Sequence, residues 1–357
     1  MSLATRFLGG ATLLAMTAVA AHAADASAMP AMPAMPASAS APVHLPMPAG
    51  RTLLIVGQER GEIADYWKAV GPAGGYMLYT SLETLSNMDH ASKGSGCGDS
   101  GWMSFPDWVE HYPGTAAQVG LYMVGMLPDI VSGDLDGQID ELGDDLRRTG
   151  RPVYLRIGYE FDGPWNRYDP ELYRAAWRHV AQRLRGADGR GLPNVAFVWH
   201  SAAFRRFRGE PLAAWYPGDD VVDWVALSWF GWGSEGETAD AAQAREDVAA
   251  FARAHARPLM IAESAPKQYA QADRADAWER WYAPLFAWIE RNDVRAYSAI
   301  NQDWRRLPQW SDAACGNGTD WGDTRVHKPG STILERWRAT VAAPRFVRQG
   351  DPLLAPK

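Results

Sequence analysis

The chain has 357 residues, 47% hydrophobic and 22% charged, which is enough apolar material for one large domain or two ordinary ones. A formal net charge of −7 provides no basic excess of the kind that draws a protein to nucleic acid or to an acidic membrane surface. Tryptophan is abundant at 17 residues; some of these rings fill core, but so many amphipathic rings beside turn signals suit a surface that stacks flat, uncharged ligands such as sugar rings.

At the N-terminus, Arg6 precedes an apolar run from Phe7 to Ala21, and Ala21-His22-Ala23 fits a small-residue cleavage site. Residues 1–23 therefore read as an export signal, too short for a typical spanning helix, with a retained anchor as the alternative. The product is expected in the periplasm or outside the cell, unattached to the membrane after cleavage. Residues 24–50 carry three Ala-Met-Pro triplets and almost no charge, and read as an extended linker. Residues 51–345 are expected to form one domain and residues 346–357 a frayed tail.

From Thr52 onward the pattern alternates strand and helix. Strands are predicted over Thr52–Gly57, Gly75–Ser81, Ala117–Leu127, Pro152–Tyr159, Asn194–Trp199, Val221–Phe230, Pro258–Ala262 and Val294–Ile300. Helices are predicted over Glu62–Val70, Phe105–Tyr112, Gly137–Thr149, Glu171–Leu184, Ala239–Ala256, Arg274–Arg291 and Thr332–Ala342, with weak helical character near Trp215. A strand-helix unit repeated eight times and buried on both faces fits a single-domain (β/α)8 TIM barrel. An open doubly wound sheet fits less well, because Gly57-Gln58-Glu59-Arg60-Gly61 after the first strand is no dinucleotide-binding turn. Cys97 and Cys315 lie in Gly/Asp-rich loops; in an exported protein they are expected to form one bridge, the alternative being two unpaired thiols.

In such a barrel the C-terminal ends of the strands carry the chemistry. Here they carry Arg156, Tyr159, Glu160 and Asp162; His200; Trp229 and Trp232; Glu263; and Asp303 and Trp304. Glu160 and Glu263 end the fourth and seventh strands, on opposite sides of an eight-stranded barrel. That pairing suits glycoside hydrolysis with retention: one protonated carboxyl serves the leaving oxygen while the other, ionised and about 5–5.5 Å away, attacks the anomeric carbon. Burial beside Trp165 and the opposed Glu263 charge should raise the pKa of Glu160. Arg156 either orients one of the carboxylates or caps the core. His200 either donates to substrate or Glu160, or merely starts a loop. Tyr159 suits the glycone side. Trp165, Trp229, Trp232 and Trp304 are platform candidates, of which about half should contact sugar and the rest pack the rim. Asp162 and Asp303 either bind sugar hydroxyls or cap turns. No zinc-binding motif and no serine-nucleophile elbow occurs, and Asp134-Leu-Asp136-Gly137 lacks the remaining spacing of a calcium loop, so neither metal nor cofactor is expected.

Arg156 followed by Glu160-Phe161-Asp162-Gly163-Pro164-Trp165 resembles the acid/base motif of glycoside hydrolase family 26, which contains β-mannanases. The helix from Tyr173 to Leu184, Val195 to Trp199, Tyr216-Pro217-Gly218-Asp219, Val222-Asp223-Trp224 and the strand Pro258 to Glu263 resemble that family's later landmarks in order and spacing. The resemblance implies Glu160 as acid/base and Glu263 as nucleophile. Tyr159 and Asp162 stand where that family usually has His and Asn, and Trp229 and Phe230 stand near the position of a sixth-strand Tyr that often orients the nucleophile. These departures leave the glycan open. The expectation is thus a secreted, monomeric, endo-acting β-glycosidase with a polysaccharide or oligosaccharide substrate. A lyase or transglycosylase of exopolysaccharide, or a non-catalytic carbohydrate-binding barrel, is the alternative.

Overall fold

The structure is a computed structural model and describes residues 44–88, 103–186, 191–204, 210–231, 238–307 and 321–356. The expected export signal of residues 1–23, residues 24–43 of the expected linker, Cys97, Cys315 and Trp232 lie outside the described residues.

The parallel strands β1 (Thr52–Gly57), β2 (Gly75–Ser81), β3 (Ala116–Tyr122), β4 (Val153–Ile157), β5 (Val195–Ser201), β6 (Trp224–Phe230), β7 (Leu259–Ala265) and β8 (Ala296–Ile300) each pair with the next. β1 pairs with both β2 and β8, which closes the barrel. Around it run α1 (Arg60–Val70), α2 (Phe105–His111), α3 (Leu127–Ser132), α4 (Asp136–Arg148), α5 (Pro170–Arg185), α6 (Leu212–Trp215), α7 (Ala239–Ala254), α8 (Ala283–Arg291) and α9 (Leu334–Val341). The expected (β/α)8 barrel is therefore the fold.

Almost every strand residue is buried, because one face of each strand packs inside the barrel and the other against helices. Strand parity sorts the side chains into two clusters. Tyr154, Ala196, Val198, Trp224, Ala226 and Met260 fill the interior; Val153, Leu155, Ile157, Phe197, Val225, Leu227 and Ile261 face the helix layer. α5 shows how the outer layer is encoded. Asp169 caps its N-terminus by accepting from the amides of Glu171 and Leu172, Pro170 opens it, and Tyr173, Ala176, Trp177, Val180 and Leu184 form its buried stripe.

Several boundaries differ from expectation. β3 stops at Tyr122 and the chain turns into the short α3. The last predicted helix before β8 opens as a π-helical turn over Trp278–Tyr282 before continuing as α8. The end of the predicted linker is packed: Leu45 and Met47 are buried, the His44 amide donates to Asp223, and the Trp224 indole donates to the His44 carbonyl. The tail does not fray: Phe346–Val347 pairs with β1 as β9, and Leu354 is buried. Both ends cover apolar side chains at the N-terminal mouth of the barrel, opposite the strand ends that carry the polar groups.

Candidate active site

The site begins with a kink. β4 ends at Ile157, and the next three residues, Gly158-Tyr159-Glu160, turn the chain sharply, with Gly158 at φ +54° and Glu160 at φ +53°. Gly158 cannot be replaced cheaply, since a Cβ there would lie 2.7 Å from the Met123 side chain and 2.9 Å from Tyr173. A glutamate in the left-handed region is uncommon and is retained only where its surroundings hold it. They do so here. Asn166 donates its Nδ2 to the carbonyls of Tyr159 and Glu160 at 2.9 and 2.8 Å. The Phe161 ring is fully buried and stacks on Trp199, with centroids 4.4 Å apart, anchoring the loop in the helix layer. Asp162 accepts from the Ser201 hydroxyl at 2.6 Å and the Ala202 amide at 2.7 Å, which ties the loop to the end of β5.

Glu263 reaches the interior by a different device. β6 and β7 pair in register up to Leu227–Ile261, then Ser228 pairs with Glu263, so Ala262 is an extra residue in a bulge. Strict alternation would send Glu263 outward beside Ile261. The bulge turns it inward, and the Ala262 carbonyl it leaves over is taken by Gln118 of β3, whose amide donates at 2.8 Å. Gln118 is itself held by the Ser298 hydroxyl of β8 at 2.6 Å.

Both carboxyls are nearly closed to solvent, Glu160 at 7% and Glu263 at 8% exposure, and their surroundings differ. Glu263 Oε1 accepts from the Arg156 guanidinium and from the Tyr79 hydroxyl at 2.9 Å. Arg156 is fully buried, with its guanidinium against the Tyr79 and Tyr159 rings, 4.9 and 5.1 Å from their centroids. Gly120, its register partner on β3, makes the room: a Cβ there would sit 2.6 Å from the Tyr79 ring and 2.9 Å from Arg156 Nη2. Burial, and next the Glu263 charge, push the Tyr79 phenol well above its usual range, so it remains a donor.

Glu160 has a weaker donor. Its Oε1 accepts from the Ser228 hydroxyl at 2.6 Å. Burial first, and the Glu263 charge second, raise its pKa from 4.5 to about 8, against the opposing pull of Ser228 and Arg156. His200 is fully buried between Arg156 and Ser228, and burial with the Arg156 charge lowers its pKa well below the usual value. The arrangement is one carboxyl held protonated near neutral pH and one carboxylate pinned by two donors, which is the division of labour that general-acid and nucleophilic chemistry need.

The remaining sequence candidates divide. Tyr159 is half-buried, edge-on to Tyr79 with centroids 5.5 Å apart. Trp165 is 42% exposed on the rim beside Phe204, as a platform requires. Trp229 is no platform. Since Ser228 and Phe230 point inward, Trp229 points into the helix layer, packed on Trp281 and Trp288 with the Arg245 guanidinium over its ring. Trp304 is buried, packed on Trp321 with centroids 4.8 Å apart. Asp162 braces the loop, and burial raises its pKa to about 6. Asp303 accepts from Arg305 Nε and Nη2 at 2.8 and 2.9 Å, within an ion-pair network with Arg325, Asp323 and Glu62. Tyr79, Gln118 and Asn166 were missed, and Ser228 was placed at the end of the sixth strand without a role. Tyr79 and Ser228 carry one signal: each is a polar residue of inward parity in the C-terminal half of a strand.

Residues 119–296 match the family described as glycosyl hydrolase family 26. The β-1,3-xylanase TXYA of a Vibrio species is 33% identical over 338 residues, 87% of this chain and 68% of that protein. A β-1,3-xylanase of an Alcaligenes species is also 33% identical, over 87% of this chain and 67% of its own length. Among solved structures, a modular endo-β-1,4-mannanase from Cellulomonas fimi shares the fold with a TM-score of 0.59 and 16% identity, over 85% of this chain and 73% of that one.

Proposed function

The chain belongs to glycosyl hydrolase family 26, and on that premise we propose that it is an exported, endo-acting, retaining glycanase whose substrate is a β-1,3-linked xylan. The observation that carries the mechanism is the unequal environment of the two glutamates. Arg156 and Tyr79 both hold Oε1 of Glu263, which leaves Oε2 to attack the anomeric carbon. As the glycosidic bond breaks, Glu160 transfers its proton to the departing oxygen, and an ester forms between Glu263 and the sugar. That ester removes the charge which helped to raise the Glu160 pKa. Glu160, now a carboxylate with a lower pKa, takes a proton from water, and the water oxygen displaces Glu263 from the anomeric carbon. Substrate identity rests on the two β-1,3-xylanases, each similar over most of this chain. Export rests on the signal-like residues 1–23 and on the fact that a polymeric substrate lies outside the cell.

The test is a panel of β-1,3-xylan, β-1,4-xylan, mannan and β-glucan, followed by proton NMR during early turnover. Release of oligosaccharides from β-1,3-xylan with the β-anomer appearing first is expected. The α-anomer appearing first would refute the nucleophile role of Glu263, and turnover confined to another polymer would refute the substrate assignment. Glu160→Gln and Glu263→Gln should each lower hydrolysis by several orders of magnitude while the fold persists. For export, cells expressing the full chain should release a product shortened near Ala23; a full-length product retained in the cytoplasm would refute it.

A further inference from the structure

We propose that His200 and Ser228 form a one-way hydrogen-bond relay from Arg156 to Glu160, which places the acid proton on Glu160 Oε2. The inference rests on the acid/base role of Glu160 but is argued from the donor and acceptor capacity of the chain's own atoms. Arg156 has only N–H groups and cannot accept. One Nη1 hydrogen serves Glu263, and Nη1 also lies 3.3 Å from His200 Nδ1, so Nδ1 is the acceptor. His200 is fully buried and uncharged, hence its single hydrogen is on Nε2. Nε2 lies 3.0 Å from the Ser228 oxygen, which therefore accepts. The one hydrogen of Ser228 is then directed at Glu160 Oε1, 2.6 Å away. Oε1 ends the relay as an acceptor, and a protonated Glu160 carries its hydrogen on Oε2.

The polarity has a consequence for the reaction. Arg156 touches the nucleophile directly and the acid through two neutral groups, so one cation orients both carboxyls. Ser228 also sits in register with Glu263 across the β6–β7 bulge, which fixes its hydroxyl relative to the nucleophile. The charged groups facing Glu160 are Glu263 from β7, Arg156 from β4 and Asp162 from its own loop; His200 from β5 contributes as a neutral dipole. His200 and Ser228 are positioning residues: each acts through Glu160.

Two measurements read the relay without turnover, so they separate it from the glycosidase reading. In protein labelled with 15N-histidine, the His200 imidazole should be the Nε2–H tautomer and should not titrate between about pH 5 and 8. The Nδ1–H tautomer or an imidazolium would overturn the proposal. In protein with 13C-labelled glutamate carboxyls, Ser228→Ala should move the Glu160 midpoint upward by about one pH unit, the worth of one hydrogen bond to the charged form. Ser228→Thr should restore it; an unmoved midpoint in Ser228→Ala would overturn the relay. With turnover, the basic limb of kcat/KM should move the same way in Ser228→Ala. Its loss should be at least ten-fold greater on polysaccharide than on an aryl glycoside whose leaving group needs no proton. Equal losses on both substrates would mark Ser228 as structural and refute its positioning role.

Discussion

Glu160→Gln tests the site through stability alone. Glu160 is buried, and its pKa is raised from 4.5 to about 8. Between those values the folded protein holds a proton that the unfolded chain has released, so stability falls as pH rises through the window. Below about pH 4.5 the carboxyl is neutral in both states and costs nothing. Above about pH 8 the full burden of an ionised, buried carboxylate beside Glu263 is present. At about 1.4 kcal/mol per pH unit, the ceiling on that burden is about 5 kcal/mol. Glutamine matches the protonated acid in shape: its oxygen still accepts from Ser228, and its amide takes the place of the acid hydroxyl. Melting curves of wild type and Glu160→Gln should therefore nearly coincide at pH 5. At pH 9 the variant should melt higher, by as much as ~10 °C at roughly 2 °C per kcal/mol for a chain of this size. A melting difference that stays constant from pH 5 to 9 would refute the assignment of Glu160 as the carboxyl held protonated by its surroundings.

Glu263→Gln removes the second-largest cause of the raised Glu160 pKa, so the Glu160 carboxyl, followed by 13C NMR, should titrate at lower pH than in wild type; an unchanged or higher midpoint would contradict charge coupling between the pair. Gly120→Ala drives a methyl against Tyr79 and Arg156, and should cost about 1–3 kcal/mol by denaturant unfolding and lower kcat/KM at least ten-fold. Trp165→Ala should leave the melting temperature almost unchanged and raise KM several-fold, as expected of an exposed sugar platform. Trp229→Ala should instead destabilise by about 3–5 kcal/mol, because that ring is core. Exchange of these two outcomes would show that the rim and core assignments are reversed.

Much of the barrel was legible because its strands are continuous apolar runs bounded by turn residues, and because α5 and α7 carry both caps and a buried stripe. The two glutamates stood out as charged residues against those runs. Trp229 was misread for an identifiable reason: a tryptophan at a strand end is ambiguous until one neighbour's direction is known. Once Ser228 is placed inside, two-residue periodicity sends Trp229 outward. The packed residues 44–50 and the tail were missed because each contributes only two or three buried apolar side chains, too few to form a periodic pattern.

The immediate surroundings of Glu263 were hidden for a deeper reason. They depend on a break in the periodicity that makes strands readable. Ala262 is unremarkable in the sequence, yet as the extra residue of the bulge it decides that Glu263 faces Arg156 rather than the helix layer. A bulge leaves a carbonyl that the sheet no longer pairs, and a buried carbonyl needs a donor. Gln118 supplies it from β3, four strands away along the chain order, held in turn by Ser298 from β8. With no tyrosine on the sixth strand, Tyr79 donates to Glu263 from β2. The bulge, its amide brace and the β2 tyrosine form one solution: turning Glu263 inward on β7 brings it toward β2 and β4, where Tyr79 and Arg156 are already stacked. Gly120 is the residue that allows that stack to exist. None of these four positions is charged, so a search for catalytic carboxylates passes over them, although together they determine where Glu263 points.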